Sequence, residues 1–586
     1  MKMIQFKYAI ISTAFLLGGM TTGCDTLDID NLETYDESMV WGDLNLAQAY
    51  VNNLYEECFE GWSVSADQNS DQVTGIPWYL GTITETGDSY KKWDYTKIRH
   101  INEAIFKLES SVIEDKDAVD FMLGQAYFMR AYMYYWMVLH HGGVPYLKVP
   151  QDKDKDDLYV KRNSTPECFQ FMIEDLDHAI SLLPAKIAGS SSDYGRIDQC
   201  FAKSWKAKTL LLKASPQFNP KRMYDNAYWK EAYVAAKEAY DFCVQNGIAL
   251  TENPADIWLQ EKGPEVIFPV IYSNPNRVAT WEYGTRPASV SRDKPYHNPT
   301  WEFVKDFPML DGKRYDDPTG KYYVGDEQAL LKAFWKNRDP RFNRACLYNG
   351  REWPVAGRPA DNRMYNALGV SNADDQYGVN PNAGVNAANN DIFSGMYNYK
   401  VSDLSLTQDK VMTFDIDYIL MRFAEVMFIY AEAANENGHS DVAIDLLKQI
   451  RKRAGINETS SNPEMKGRVY GLNPNMNQTE MREAVREERF IELLFEQKRL
   501  WDMRRWMIYD KLMNGQGKRH ALVMNKQADN TYTTYLFDRD NTPMITNQNI
   551  YFLPMKRSEM SNNPNLEQTD EEDTCPARAD RRCHRP

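Results

Sequence analysis

Three glutamates near the end of the chain are spaced so that they could take part in acid–base chemistry. Glu488, Glu492 and Glu496 follow one another at four-residue intervals, which places them on one face of a helix. A glycoside hydrolase needs two carboxylates that face each other across a cleft, whereas like charges in one row repel unless cations compensate them. The cations available in this stretch are Arg489, Lys498 and Arg499. The pattern favours a salt-bridged scaffold, and a cell-surface glycoside hydrolase is the alternative.

No other arrangement of residues predicts catalysis. The eight histidines form no HExxH zinc motif, and the sequence contains no phosphate-binding glycine loop, dinucleotide fingerprint or GxSxG nucleophile motif. His140 and His141 are adjacent, so on a helix they point about 100° apart and do not form an i, i+4 metal pair. The eight cysteines have no regular spacing and are too sparse for a disulfide framework. We therefore expect a protein that is not an enzyme and has no cofactor and no metal site.

The start of the chain has the character of an export signal. Lys2 and Lys7 precede an apolar stretch over residues 9–17, and small residues then lead to Cys24. The apolar stretch is shorter than the ~20 residues of a membrane-spanning helix and is typical of a cleaved signal. A cysteine at this position resembles the bacterial lipobox, in which the thiol is lipidated and becomes the first mature residue. An ordinary cleaved signal with an incidental cysteine is the alternative. The prediction has three parts: a signal peptide over 1–23, lipidation of Cys24, and an acidic tether with an N-terminal arm over 24–42.

The composition excludes some classes of protein. The 586 residues include 68 Lys and Arg against 83 Asp and Glu, for a net charge of −15, whereas a nucleic-acid binder needs clustered positive charge. A hydrophobic content of 43% with a mean hydropathy of −0.61 indicates a globular core rather than a membrane bundle. Tyr outnumbers Phe by 36 to 24. This excess indicates many ring positions that are apolar on one side and wet on the other.

Helical periodicity covers most of the chain after residue 43. Apolar residues recur at helical spacing from Leu420 to Ile450 on both sides of Gly438, with the small residues Ala431 and Ala443 close to the turn. This pattern matches the paired helices of tetratricopeptide repeats. Further helices are predicted over 44–59, 93–108, 117–140, 166–183, 199–214, 229–244 and 479–507. The expected fold is mainly α, with tetratricopeptide-like helix pairs that form a right-handed scaffold.

Two long stretches interrupt the helical period. Over about 61–92 and 253–415, Gly, Pro, Asn, Tyr and Trp replace the periodic residues. Structureless loops of this length are rare in a compact domain unless they carry function or small elements of their own. We expect long irregular loops with minor β elements here. Both insertions are assigned to one domain over 43–568, and residues 569–586 to a charged tail.

Several motifs together resemble the SusD/RagB family of lipoproteins. Residues 124–132, GQAYFMRAY, and 143–145, GVP, are similar to the family's G-E-A-x-F-L-R-A-x-x-Y and G-x-V-P patterns. The helix over 486–506 is similar to its R-x-x-E-L-x-F-E-x-x-R-x-x-D-L-x-R-W signature. Further matches follow in family order at 214–219, 307–313, 339–341, 422–433, 551–554 and 563–568. The tail after Gln568 departs from the family's short ending.

The resemblance implies a surface-exposed outer-membrane lipoprotein of the Bacteroidetes type. Such a protein binds a nutrient, usually a glycan, and acts as a lid on a SusC-like TonB-dependent transporter. It meets the membrane only through its N-terminal lipid. The same lid role with a peptide or a host-derived ligand is a further alternative.

A glycan site of this kind needs exposed rings, because sugar CH faces stack on Trp and Tyr. Trp78 and Tyr79 follow a proline in a loop, and Trp281 and Tyr283 alternate in a possible strand and would share one face. Tyr296 and Trp301 flank a proline-rich turn. By contrast, Trp93, Trp205 and Trp506 are interpreted as packing residues. The predicted ligand-binding residues are Trp78, Tyr79, Trp281, Tyr283, Tyr296 and Trp301.

Overall fold

The computed structural model describes ten parts of the chain: residues 37–74, 83–86, 92–291, 297–357, 363–367, 394–456, 469–515, 519–538, 546 and 548–568. The predicted signal peptide, Cys24 and the charged tail lie outside these ranges. Within them the regular structure is mainly α-helical, as the sequence predicts. No helix in these ranges has the length and apolar character needed to cross a membrane.

The helices follow one another along the described chain, with six short strands between them. In chain order the helices are α1 (Glu37–Gly42), α2 (Leu44–Cys58), α3 (Tyr95–Glu109), α4 (Lys116–His141), α5 (Thr165–Leu182), α6 (Gln199–Ala214), α7 (Tyr228–Gln245), α8 (Asp256–Leu259), α9 (Trp281–Thr285), α10 (Trp301–Asp306), α11 (Glu327–Leu331), α12 (Pro340–Ala345), α13 (Phe423–Glu436), α14 (Ser440–Ala454), α15 (Gln478–Glu492), α16 (Arg499–Arg505), α17 (Tyr509–Met513) and α18 (Arg557–Asn562). The strands are β1 (Val266–Val270), β2 (Cys346–Leu347), β3 (Tyr397–Asn398), β4 (Tyr418–Arg422), β5 (His520–Lys526) and β6 (Tyr532–Asp538).

Local capping fixes where several of the long helices begin. Before α5, the Ser164 backbone N–H donates to the Glu167 carboxylate at 2.8 Å, and the Ser164 hydroxyl oxygen accepts from the Glu167 N–H at 3.4 Å. Asn477 and Glu480 form the same reciprocal pair before α15. Each capping box satisfies backbone N–H groups that have no partner inside the helix.

The long helices form packed pairs around a shared apolar core. Helix α4 packs against α3 and α5, α6 packs against α7, and α13 packs against α7 and α14. Between α13 and α14 the chain turns at Gly438, whose φ is +85°, and Ala431 and Ala443 are completely buried beside the turn. The small side chains allow close helix approach, which confirms the tetratricopeptide-like pairing.

Helix α1 lies at the end of the stretch assigned to the tether and N-terminal arm. Its Trp41 is 9% exposed and its ring lies 4.8 Å from that of Tyr50 on α2. The end of the predicted arm is therefore packed onto the helical body rather than extended.

The strands form three separate two-stranded antiparallel sheets: β1 with β4, β2 with β3, and β5 with β6. In the first, Val266 pairs with Arg422 and Val270 with Tyr418. Leu420 therefore lies in a strand, and the prediction that the helix extends back to this residue is wrong. The residues of β4 are all buried, so they lack the alternation that distinguishes a strand from a helix.

The stretch 253–415 contains small helices as well as the expected β elements. Helices α8 to α12 and strands β1 to β3 lie within it. Some of these elements enclose a second apolar core, which includes Trp301, Phe303, Phe307, Phe334 and Phe342. The insertion therefore has its own packing.

The predicted helix over 479–507 is interrupted. Helix α15 ends at Glu492, and α16 begins at Arg499. Between them, Phe495 and Gln497 adopt left-handed backbone conformations, with φ of 56° and 60°. The turn brings Glu496 to β4, where its backbone carbonyl accepts a hydrogen bond from the Tyr418 hydroxyl at 3.1 Å.

Candidate ligand-binding cavity

The three glutamates that raised the question of catalysis are buried in ion pairs. Glu488 lies 2.7 Å from Arg341, Glu492 lies 3.0 Å from Arg422, and Glu496 lies 2.8 Å from Arg422. Burial would raise the pKa of each carboxyl, but the surrounding cations more than offset it and hold all three pKa values below the usual range. The carboxylates are held ionised, so they are unsuited to donate a proton as a glycosidase acid does.

The predicted scaffold is confirmed, but the predicted cations are wrong. Arg489 pairs with Asp502 at 2.7 Å, Lys498 with Glu425 at 3.2 Å, and Arg499 with Asp71 at 2.6 Å. The cations that meet the glutamates come from other elements: Arg341, Lys400, Arg422, Arg451 and Arg453. Because the helix is interrupted after α15, the chain changes direction. Cations that are close to the glutamates in sequence are therefore not their partners in space.

Two of the predicted stacking residues are fully buried. Trp281 lies on α9, not on a strand, and its ring is 4.6 Å from Trp62. Trp301 begins α10, and its indole N–H donates to Glu327 at 2.5 Å. Both side chains have 0% exposure, so the expectation that they present a face to a ligand is wrong in this structure. The local sequence around the proline-rich turn does not reveal that the chain after the turn packs onto an apolar core.

Of the other four predicted rings, the structure describes only Tyr283. Tyr283 also lies on α9 and is half-buried. Trp78, Tyr79 and Tyr296 lie outside the described residues. Their part in binding stays a prediction.

The structure brings a different set of rings together around one cavity of about 360 Å³. We call it the aromatic cavity. Its lining includes Tyr132 and Trp136 from α4, Trp205 from α6, Tyr418 from β4 and Trp501 from α16. Tyr132 and Trp136 are one helical turn apart and therefore share a face of α4.

The rings of the aromatic cavity support one another in tilted and edge-on contacts. Trp136 and Trp501 have ring centroids 5.0 Å apart at 63°, and Tyr132 and Trp205 have centroids 4.7 Å apart at 42°. Trp205 and Tyr132 are buried, whereas Trp136 and Trp501 are half-buried. The two half-buried tryptophans thus present ring surface above a rigid aromatic base.

Polar groups line the same cavity. Glu60, Lys92, Asp94 and Lys97 come from the segments before and at the start of α3. Lys92 forms an ion pair with Glu60. Such groups supply hydrogen-bond donors and acceptors beside the rings.

A lysine with a lowered pKa borders the aromatic base. Lys208 lies 4.7 Å above the Trp205 ring and 2.9 Å from Glu425. Burial lowers the pKa of Lys208 to about 8, although Glu425 acts in the opposite direction. The Trp205 indole nitrogen is buried and has no hydrogen-bond partner among the described residues. The cavity therefore combines apolar ring surface with polar groups. One of these groups, the Trp205 indole N–H, has no partner among the described residues.

One sequence pattern indicates the cavity, but the same pattern is also expected of a buried helix face. Tyr132, Trp136 and His140 recur every four residues along α4, and this spacing is also typical of core packing. The burial of Trp205 confirms its interpretation as a packing residue. Nothing in the local sequence of Trp136 or Trp501 shows that part of each ring lines a cavity.

Two family models match different parts of the chain. The SusD family model matches residues 264–571, and a second model, described as starch-binding and associating with the outer membrane, matches residues 43–194. The first match covers more than half of the chain. The chain belongs to the SusD family.

Relatives cover most of the chain at low identity. SusD-like protein P2 of Formosa agariphila is 23% identical, over 80% of this chain and 79% of its own length. SusD-like protein P38 of the same organism is 25% identical, over 86% of this chain and 92% of its own length. The similarity is therefore spread along the chain and is not confined to one motif.

Solved structures share the fold. A SusD-like protein from Bacteroides fragilis superposes with a TM-score of 0.72 at 21% identity, over 92% of this chain and 98% of its own. A SusD-like carbohydrate-binding protein from the same species gives a TM-score of 0.69 at 19% identity, over 90% and 100%. A laminarin-binding SusD-like protein gives 0.56 at 17% identity, over 90% and 99%. These structures confirm the mainly helical architecture.

Proposed function

We propose that this protein binds an oligosaccharide in the aromatic cavity and delivers it to a SusC-like TonB-dependent transporter. In this proposal it is held on the outer membrane by a lipid on Cys24 and faces the cell exterior. The observation that carries the binding role is the pair of half-buried tryptophans, Trp136 and Trp501, above a base of buried rings.

The chemistry of the cavity suits a sugar. An indole face packs against the CH groups of a sugar ring, and the adjacent charged side chains can bond the hydroxyls that project from its edge. The buried base holds the two indoles in place before a ligand arrives, which reduces the ordering cost of binding.

The family supports this ligand class. One matching family model is described as starch-binding, and one structural relative is described as laminarin-binding. Both names refer to polymers of glucose, so soluble starch and laminarin are the first probes. The transporter role rests on family membership.

Replacement of Trp501 by alanine tests the binding role. Loss of one stacking ring is expected to weaken glycan binding by about 1–3 kcal/mol, by analogy with other aromatic stacking platforms. Affinity electrophoresis of the purified protein in gels that contain starch, laminarin or other glycans gives the measurement.

A matched control replaces a ring outside the cavity. Tyr535 on β6 is 39% exposed and does not line the cavity, so Tyr535→Ala should leave retardation unchanged. Equal retardation of wild type and Trp501→Ala in every retarding glycan would contradict the assignment of this cavity. Retardation by no glycan would favour a peptide or host-derived ligand, and release of reducing sugar would favour the hydrolase.

A further inference from the structure

A second cavity, of about 320 Å³, lies among α8, α12, β4 and the segment that follows β3. We call it the basic cavity. None of its lining residues lines the aromatic cavity. Trp281, Tyr283 and Trp301, the predicted stacking residues that the structure describes, do not line it either.

Positive charge dominates the lining of the basic cavity. Among the described residues that line it, the one carboxylate is Glu492, which already pairs with Arg341 and Arg422. Five cations line it: Arg341, Arg344, Arg351, Lys400 and Arg422. Lys400 lies 2.5 Å from Glu496. Three of the five cations are therefore neutralised by carboxylates in the protein.

The other two cations have no such partner. Arg344 makes no hydrogen bond or ion pair with any described residue, and its Nη1 is buried without a partner. Among the described residues, Arg351 donates only to the backbone carbonyls of Cys346 and Asn343. Burial of an arginine without a carboxylate is costly, and a bound anion would offset that cost.

An apolar wall lies beside these arginines. Leu259 is 54% exposed, and Pro254 and Ala255 extend the same surface. Trp258 is buried, and its indole nitrogen has no hydrogen-bond partner among the described residues. The Arg351 guanidinium lies 4.1 Å above the ring of Tyr399, which also lines the cavity. Two guanidinium groups without a carboxylate partner thus line a cavity that also has apolar and aromatic surface.

We propose that the basic cavity is a second ligand site and that it binds the carboxylate-bearing ring of an acidic sugar. The carboxylate pairs with Arg344 and Arg351, because a guanidinium binds a carboxylate through parallel N–H donors. The CH face of the ring packs against the wall at Leu259. This site does not depend on the aromatic cavity, so it stands or falls separately from the function proposed above.

Titration with three small probes tests the site. D-glucuronate supplies ring and carboxylate, D-glucose supplies the ring alone, and sodium sulfate supplies a free oxyanion. Dissociation constants measured by NMR titration of the mature chain at pH 7 should be at least roughly tenfold lower for glucuronate than for either other probe, because one charge-assisted pair is worth about that factor.

Two substitutions assign the binding to this cavity. Arg344→Gln should weaken glucuronate binding roughly tenfold, and Leu259→Ser should weaken glucuronate binding but not sulfate binding. Arg344 has no partner to lose and Leu259 is exposed, so both variants should keep the wild-type melting temperature. The matched control is Arg222→Gln, because Arg222 is 66% exposed and lies outside the cavity.

The outcomes separate the two sites. Equal affinity for glucuronate and glucose, or full binding by both substituted proteins, would overturn the proposal. Sulfate that binds as tightly as glucuronate would also overturn it, because the ring would then contribute nothing. Unchanged glucuronate binding in Trp501→Ala is expected, even if that variant loses every glucan.

Discussion

Arg422 holds three carboxylates at once. Its guanidinium lies 2.6 Å from Glu265, 3.0 Å from Glu492 and 2.8 Å from Glu496, and only 2% of its side chain is exposed. Removal of these charges from water is costly, and the cost is offset only while every partner is present. At the scale of single residues, the stability of this contact therefore depends on four charged groups at once.

Arg422→Met should therefore be strongly destabilising. The methionine keeps much of the side-chain volume but leaves carboxylates buried without their shared cation, and loss of one partner from a buried ion pair costs about 3–5 kcal/mol. The expected result is a clear fall in melting temperature, measured by circular dichroism on the mature chain.

An exposed ion pair supplies the comparison. Arg99 lies 3.1 Å from Glu103, but its side chain is 55% exposed. Water screens such pairs, and they contribute about 0–1 kcal/mol, so Arg99→Met should leave the melting temperature nearly unchanged. Similar small effects of both substitutions would show that the buried network is not needed for stability.

At the scale of elements, the turn between α13 and α14 depends on one glycine. Gly438 has a φ of +85°, and a Cβ added there would meet nothing within 4 Å. The left-handed backbone conformation is therefore the only obstacle to a side chain at this position. Gly438→Ala should lower the free energy of unfolding by about 1 kcal/mol. Thermal unfolding measures this effect.

Gly42 is the matched position for that test. A Cβ there would also meet nothing within 4 Å, but Gly42 is not among the glycines with positive φ. Gly42→Ala should therefore be neutral or slightly stabilising, since alanine favours a helix more than glycine does. Equal destabilisation by both substitutions would refute the role of the left-handed turn.

The long helices were predictable because each has an amphipathic period of several turns. Helix α6 matches its predicted limits, and α2, α4 and α5 differ from theirs by one residue at one or both ends. Strand β4 was not predictable in the same way. Its five buried residues have no polar alternation, and the apolar positions continue directly into α13.

The site was harder to predict than the scaffold. A proline-rich turn marks Trp301 as part of a loop, yet a short helix buries the ring. Trp136 and Trp501 follow the helical period, yet both line a cavity. Helical periodicity indicates which side of a single element is apolar. A cavity instead forms where the apolar sides of several elements do not pack completely against one another.

At the scale of the whole molecule, the proposed position on the membrane depends on Cys24. A lipid on this thiol would retain the exported chain in the membrane fraction. Cys24→Ala should move the protein to the soluble fraction, which immunoblotting of separated cell fractions would show. Cys168 is fully buried, and Cys168→Ala should leave the protein in the membrane fraction. Retention of Cys24→Ala in that fraction would contradict the lipid anchor.

The walls of the aromatic cavity come from residues as far apart as 58 and 501. The stretch matched by the starch-binding model supplies Trp136, the SusD family model covers Trp501, and Trp205 lies between the two. During synthesis, the cavity is therefore incomplete until the last of these segments has left the ribosome. Exchange of one half of the chain with that of a distant relative would therefore change one wall of the cavity and leave the other as it is.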